Sequence, residues 1–374
     1  MKTVRLDDSI FDELAATTGR DLISIFIPTH RRGRDVAQDR IRLKNQLSEV
    51  EDQLGALGWR PRDRSERLAR AEALLDDRQF WEHQDEGLAV YVWDDGEITP
   101  ISTSHSLEAT STIMPVFLLR PLLGELDVIP ALVLALTRDE VALFTATKRS
   151  VERMDTDLPS FDDVNWFVDR ETQRQQHPDR VGTSRNRHGH DPSDRSGEDL
   201  KRFLREVSAA VPDTHRATPL VVLGDDDLVA RFASLSERST ITPDNSGLSA
   251  PFSNDEVRQM TGALLADLAR ERSEASIAEA AEQIGIGNAT RDVAEALPAA
   301  VSGRVGKVVV DRRAAPVWGR LDKSSLEVGT SQEKRPGDVD LIDRLVIESR
   351  AHGAEVVSVE SGIEASALVA IYRF

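Results

Sequence analysis

Three clusters of side chains in this 374-residue sequence have the chemistry to act on a ligand. The first is His188-Gly189-His190-Asp191. Two imidazoles and a carboxylate could hold zinc, or a histidine could serve as a general base near neutral pH, which makes His188 and His190 the catalytic candidates. Adjacent histidines in an unstructured stretch are not preorganised for either task, and no fourth ligand is evident. We read this cluster as a solvated tip or a recognition element and expect no metal and no cofactor. The second cluster is Thr29-His30-Arg31-Arg32-Gly33-Arg34, whose arginines can pair bidentately with phosphate. A plain surface turn and an RNA contact both fit it. The third is Asp225-Asp226-Asp227, placed after an apolar run where carboxylates could hold Mg²⁺. A helix start explains it more simply, because the first Asp suits a cap and the others suit the positive end of the helix dipole. Gly285-Ile286-Gly287-Asn288 follows a helical stretch and lacks a lysine, so it reads as helix punctuation and not as a phosphate loop.

These clusters must be positioned by elements that the apolar pattern reveals. The His188 cluster lies in Asp169–Gly197, where Val181 is the one apolar side chain, so the segment cannot bury enough surface to fold alone and reads as a long loop. It is also locally basic, since Arg180, Arg185 and Arg187 meet no acid until Asp191. The His30 turn follows a buried strand, Leu22–Ile27, and precedes a helix in which Leu43, Leu47, Val50, Leu54 and Leu57 share one face before Gly58. A second helix spans Arg64–Asp76, and Asp94-Asp95-Gly96 joins the strands Gly87–Trp93 and Glu97–Ser102 in a hairpin. A second hairpin pairs Ala131–Leu136 with Val141–Ala146, and Ser150–Met154 adds a strand. Leu200, Phe203, Leu204 and Val207 outline a helix, Pro219–Gly224 a strand, and Asp225 onward a helix through Phe232. The polar stretch Thr240–Ser253 opens a third region. Its expected elements are a helix through Val257 and Leu268, a helix over Asn288–Val301, a strand at Val305–Val310, a loop at Thr330–Asp338, a helix at Leu341–Leu345, and strands at Ala354–Val359 and Ala367–Tyr372. The expected architecture is α/β with three domains: 1–125, 126–245 with its loop at 169–197, and 246–374 as an α/β/α sandwich.

Composition narrows the class. The chain has no cysteine, which excludes disulfides, thiolate metal sites and cysteine nucleophiles. No run reaches a membrane span and the N-terminus lacks a signal-like apolar stretch, so we expect a cytoplasmic protein with no membrane partner. Its formal charge of −18 repels nucleic acid on average, so any RNA contact must use local basic patches, and we expect no DNA partner. The P-loop, nucleophile-elbow, zincin and dinucleotide-binding signatures are all missing.

Three segments carry a family resemblance. Ile23-Ser24-Ile25-Phe26-Ile27-Pro28-Thr29-His30-Arg31 followed by Asp39-Arg40-Ile41-Arg42-Leu43-Lys44-Asn45 resembles the opening of the bacterial relatives of the archaeal and eukaryotic class 1 release factors and Pelota, a superfamily that includes Balon-like hibernation factors. Ala294–Asp311 is similar to the helix and strand that open its third domain, and Gly362-Ile363-Glu364-Ala365 through Ala370–Phe374 to its closing strand. The resemblance implies an N-terminal domain facing the decoding centre, a middle domain of RNase H-like topology, and a C-terminal domain of the kink-turn-binding ribosomal-protein type. The sequence departs from the release factors in lacking Gly-Gly-Gln, with His188-Gly189-His190 on the corresponding loop. It also lacks the Asn-Ile-Lys-Ser and cysteine-containing stop-codon motifs.

The expectation is therefore a ribosome-associated, tRNA-mimicking factor that enters the A site in hibernation, stress protection or rescue without codon-specific termination. The implied partners are rRNA or the tRNA acceptor end, together with a translational GTPase. Its RNA-binding residues are expected to be His30, Arg31, Arg32, Arg34, Arg180, Arg185, Arg187, His188 and His190. The alternative is a peptidyl-tRNA or other ester or phosphodiester hydrolase that uses the His188-Gly189-His190 loop.

Overall fold

The computed structural model describes residues 3–30, 36–126, 130–137, 140–147, 150–159, 192–212, 218–243, 251–322, 324–360, 362–363 and 366–373. They form two compact units, Met1–Asp127 with Glu271–Phe374, and Val128–Arg270.

The first unit opens with a five-stranded sheet in the order Val4–Arg5, Ile98–Thr103, Gly87–Val92, Thr18–Pro28, Thr110–Val116. Leu22 to Ile27 are all buried because both faces of this sheet are covered, so the strand reads as a continuous apolar run without alternation. Ile23, Ile25 and Ile27 pack with Leu43, Leu47, Val50 and Leu54 of helix Val36–Ala56 and with Leu68 of helix Pro61–Ala73. Leu22 and Phe26 face the other core, which they share with Phe11, Tyr91, Val308, Leu341 and Leu345. The Asp-Gly hairpin forms as expected. Gly96 has φ +82°, a conformation that favours glycine, and Trp93 N donates to Glu97 O at 2.9 Å.

The C-terminal part of the same unit builds a four-stranded mixed sheet. Its central strand, Val305–Asp311, runs antiparallel to Leu368–Tyr372 and parallel to Glu355–Val359, and Ala289–Thr290 closes the far edge. Helices Val293–Val301 and Leu341–Ala351 put Ala296, Leu297, Ile342 and Leu345 into the core shared with the N-terminal sheet. Two expectations are corrected here. Asn288–Val301 begins as a strand and turns helical at Val293, because the Asp292 side chain accepts from Ala294 N and caps a new helix. The segment expected as a loop from Thr330 starts inside a strand, Val328–Ser331, paired with Trp318–Leu321. A buried ionic cluster ties these parts together. Arg120 Nη2 donates to Asp340 at 2.8 Å and its Nη1 to Asp311 O at 2.9 Å, while Asp343 Oδ1 accepts from Leu119 N at 2.8 Å.

The second unit is a five-stranded sheet in the order Thr240–Ile241, Leu220–Gly224, Ala131–Leu136, Val141–Ala146, Val151–Arg153. The Ala131–Leu136 strand pairs antiparallel with Val141–Ala146 and parallel with Leu220–Gly224. One face packs on Phe203, Leu204 and Val207 of helix Pro192–Ala210 and Phe232 of helix Asp226–Leu235; the other packs on Phe252, Val257 and Leu265. Gly224 ends its strand at φ +143°, where an added Cβ would collide with the Leu136 carbonyl, so only glycine suits the position. The long helix expected through Val257 and Leu268 forms over Asn254–Gly285. Among the described residues no helix is long and apolar enough to cross a membrane.

Candidate nucleic-acid interface

Of the residues expected to bind RNA, His30 alone falls among the described residues. It sits at the end of strand Thr18–Pro28, where the chain must leave the sheet for helix Val36–Ala56. Thr29 secures the exit, its N donating to Glu86 O at 3.0 Å and its Oγ1 to Asp85 O at 2.8 Å. The fully buried Asp39 carboxylate then gathers three donors. Oδ2 accepts the His30 backbone N–H at 2.9 Å, and Oδ1 meets His30 Nδ1 at 2.9 Å and Arg42 Nη1 at 2.6 Å. Asp39 therefore fixes the orientation of the imidazole and of one guanidinium at the base of the turn. A buried carboxylate is tolerated there because it is matched by cationic and amide donors.

Sequence reasoning missed the basic surface beside this clamp. Arg40, Ile41 and Lys44 are exposed beside the buried Leu43 and Leu47, and Ile41 is 49% exposed. Arg40 reaches Asp76 at 3.1 Å, an exposed pair that holds the guanidinium only weakly. From Arg31 to Lys44 the sequence carries six cations and two carboxylates, within a chain of formal charge −18. The i, i+4 spacing of Arg40 and Lys44 is the signal for it, one that apolar periodicity does not register. This surface can pair with phosphate oxygens, while Ile41 offers an apolar contact beside them.

Arg31, Arg32 and Arg34 lie outside the described residues, as do Arg180, Arg185, Arg187, His188 and His190. The expected loop Asp169–Gly197 is corrected at its end, where Pro192 to Gly197 belong to helix Pro192–Ala210. Proline suits a first helical turn, and the stripe that marks the helix starts only at Leu200, so this turn carries no apolar signal. Asp225 takes the N-cap position of its helix but makes no side-chain cap bond, and Asp227 pairs with Arg231 at 2.9 Å, which places this cluster in a helix start. Helix Asn254–Gly285 ends at Gly285, with Gly287 at φ +78° and Asn288 Nδ2 donating to Gln283 at 2.8 Å, as punctuation should. Among the described residues no cluster of three or more His, Asp or Glu could hold a metal ion.

Residues 132–304 match the model of a release-factor-like family. That family is bacterial archaeo-eukaryotic release factor family 3, and the match bears out the resemblance read from the sequence. No curated protein sequence matches the chain. Among solved structures, the archaeal translation termination factor aRF1 is 14% identical over 98% of this chain and 96% of its own, with a TM-score of 0.23. Archaeoglobus fulgidus Pelota is 11% identical over 100% and 93%, with a TM-score of 0.33. Saccharomyces cerevisiae Dom34, described as a translation termination-like factor, is 9% identical over 100% and 94%, with a TM-score of 0.35.

Proposed function

We propose that the protein is a cytoplasmic, release-factor-like translation factor that binds the ribosomal A site without reading a codon and acts in hibernation, stress protection or rescue. The observation that carries this reading is the family match over residues 132–304. The strand order of the second unit, three antiparallel strands continued by two parallel ones, supports an RNase H-like middle domain. The absence of Gly-Gly-Gln and of cysteine from the whole sequence argues against stop-codon-dependent hydrolysis in the manner of release factors. The RNA contacts are assigned to the Arg40 and Lys44 surface with His30, Arg31, Arg32 and Arg34, and to the tip around Arg185, Arg187, His188 and His190. A translational GTPase is the proposed delivery partner.

Co-sedimentation with 70S ribosomes over a salt series tests the reading. Binding at low salt that weakens steadily as salt rises is expected, because phosphate contacts release counterions. Absence from the ribosomal pellet at low salt would reject it. Release of peptide from peptidyl-tRNA that disappears in His188→Ala or His190→Ala would instead establish the hydrolase.

A further inference from the structure

The first unit forms an open-mouthed cavity of about 490 Å³, a size that suits small organic ligands. Its wall is formed by the edge strand Thr110–Val116, the turn at His105–Glu108 and the segment 312–316 that follows strand Val305–Asp311. Arg120, Arg312, Arg313 and Lys334 line it against Glu108 and Asp340, so a locally cationic chamber lies inside a protein of formal charge −18. Three of these cations are matched. Arg120 pairs with Asp340 at 2.8 Å, Arg313 reaches Glu360 at 3.4 Å, and Arg312 also bonds Glu360. Lys334 differs. Its Nζ donates to the neutral Thr112 Oγ1 at 2.6 Å and stands 5.0 Å from the centre of the Trp318 ring, with no carboxylate paired to it among the described residues. Lys334 is exposed as a residue, but desolvation of its end between Thr112 and Trp318 lowers its ammonium to about 8, against the attraction of Asp338. The side chains of Ser111 and Arg120, on residues 9% and 3% exposed, also leave Oγ and Nε without a hydrogen-bond partner. The buried donors of Ser111 and Arg120 call for an acceptor that the chain does not supply.

We propose that this cavity binds a small organic anion, its acid group paired with Lys334 and its apolar body laid against Leu118, Pro316 and Trp318. The site is separate from the basic surface at Arg40 and Lys44 and does not depend on ribosome binding. A carboxylate and a phosphate monoester share the chemistry required.

The test is a fluorescence titration of the full chain with 8-anilinonaphthalene-1-sulfonate, an aromatic anion. Saturable one-to-one binding is expected, at least tenfold weaker in Lys334→Met, which keeps the stem against Trp318 and removes the charge. The uncharged analogue N-phenyl-1-naphthylamine should bind the unaltered protein at least tenfold more weakly, a comparison that needs no variant. Displacement by phenyl phosphate or by benzoate, which share a ring and differ in the acid, identifies the natural acid group. Equal binding of the charged and uncharged probes, equal binding to Lys334→Met and the parent protein, or displacement by neither acid would overturn the proposal.

Discussion

At the scale of single residues, two buried carboxylates have opposite circumstances and opposite consequences. Asp39 is matched on every side, by the His30 amide, the His30 ring and Arg42. Asp39→Ala would strand these donors, and a loss of about 1–3 kcal/mol in urea unfolding is expected. Asp343 is also fully buried, yet its Oδ2 has no partner. Burial pushes its carboxyl up to about 7, with Asp340 adding to the effect and the amides of Leu119 and Arg120 opposing it. The folded protein therefore keeps a proton that the unfolded chain gives up near the ordinary value of 3.8. The stabilisation is fully present below that value and is lost as pH rises through about 7. Urea melts at pH 5 and pH 8 should show the parent protein losing on the order of a few kcal/mol more than Asp343→Asn across that interval. An equal pH dependence in the two proteins would refute the assignment.

At the scale of elements, the sequence made legible whatever repeats locally. The run Leu22–Ile27, the leucine stripe from Leu43 to Leu54 and the Asp-Gly hairpin each declared themselves, because buried faces and positive φ leave a periodic or compositional mark. Helix Asp8–Ala16 and the edge strand Thr110–Val116 did not. The helix is short and buries only Phe11 and Leu14, and the strand's Thr-Ser-Thr start hides an apolar pattern beneath hydroxyls. The shared core was equally invisible, since Phe26 and Leu345 join one core from positions more than three hundred residues apart. Of the candidate interface, the arginine turn was legible by composition, whereas Asp39 was recognised only as part of a motif and its hold on His30 needed coordinates. The start of helix Pro192–Ala210 refines one expectation. Replacing Gly182–His190 with a Gly/Ser linker, and sparing the helix, should leave the melting temperature unchanged while lowering ribosome affinity. Unchanged affinity would assign no RNA contact to this segment.

At the scale of the whole molecule, the formal charge of −18 opposes association with RNA, so a chain of this composition binds a ribosome only where local charge reverses the field. The proposed contact is the fourteen residues from Arg31 to Lys44, which carry six cations against two carboxylates. Asp39 ties His30 to Arg42 near the start of the helix that carries Arg40 and Lys44. The most direct measurement is the salt dependence of 70S binding for the parent protein and for Arg40→Ala/Lys44→Ala, both exposed positions whose loss leaves the core intact. The account predicts weaker binding by the double variant, with the slope of log affinity against log salt made shallower by about 1.4–1.8, roughly 0.7–0.9 for each phosphate no longer neutralised. Parent and variant curves that coincide in both affinity and slope would contradict it.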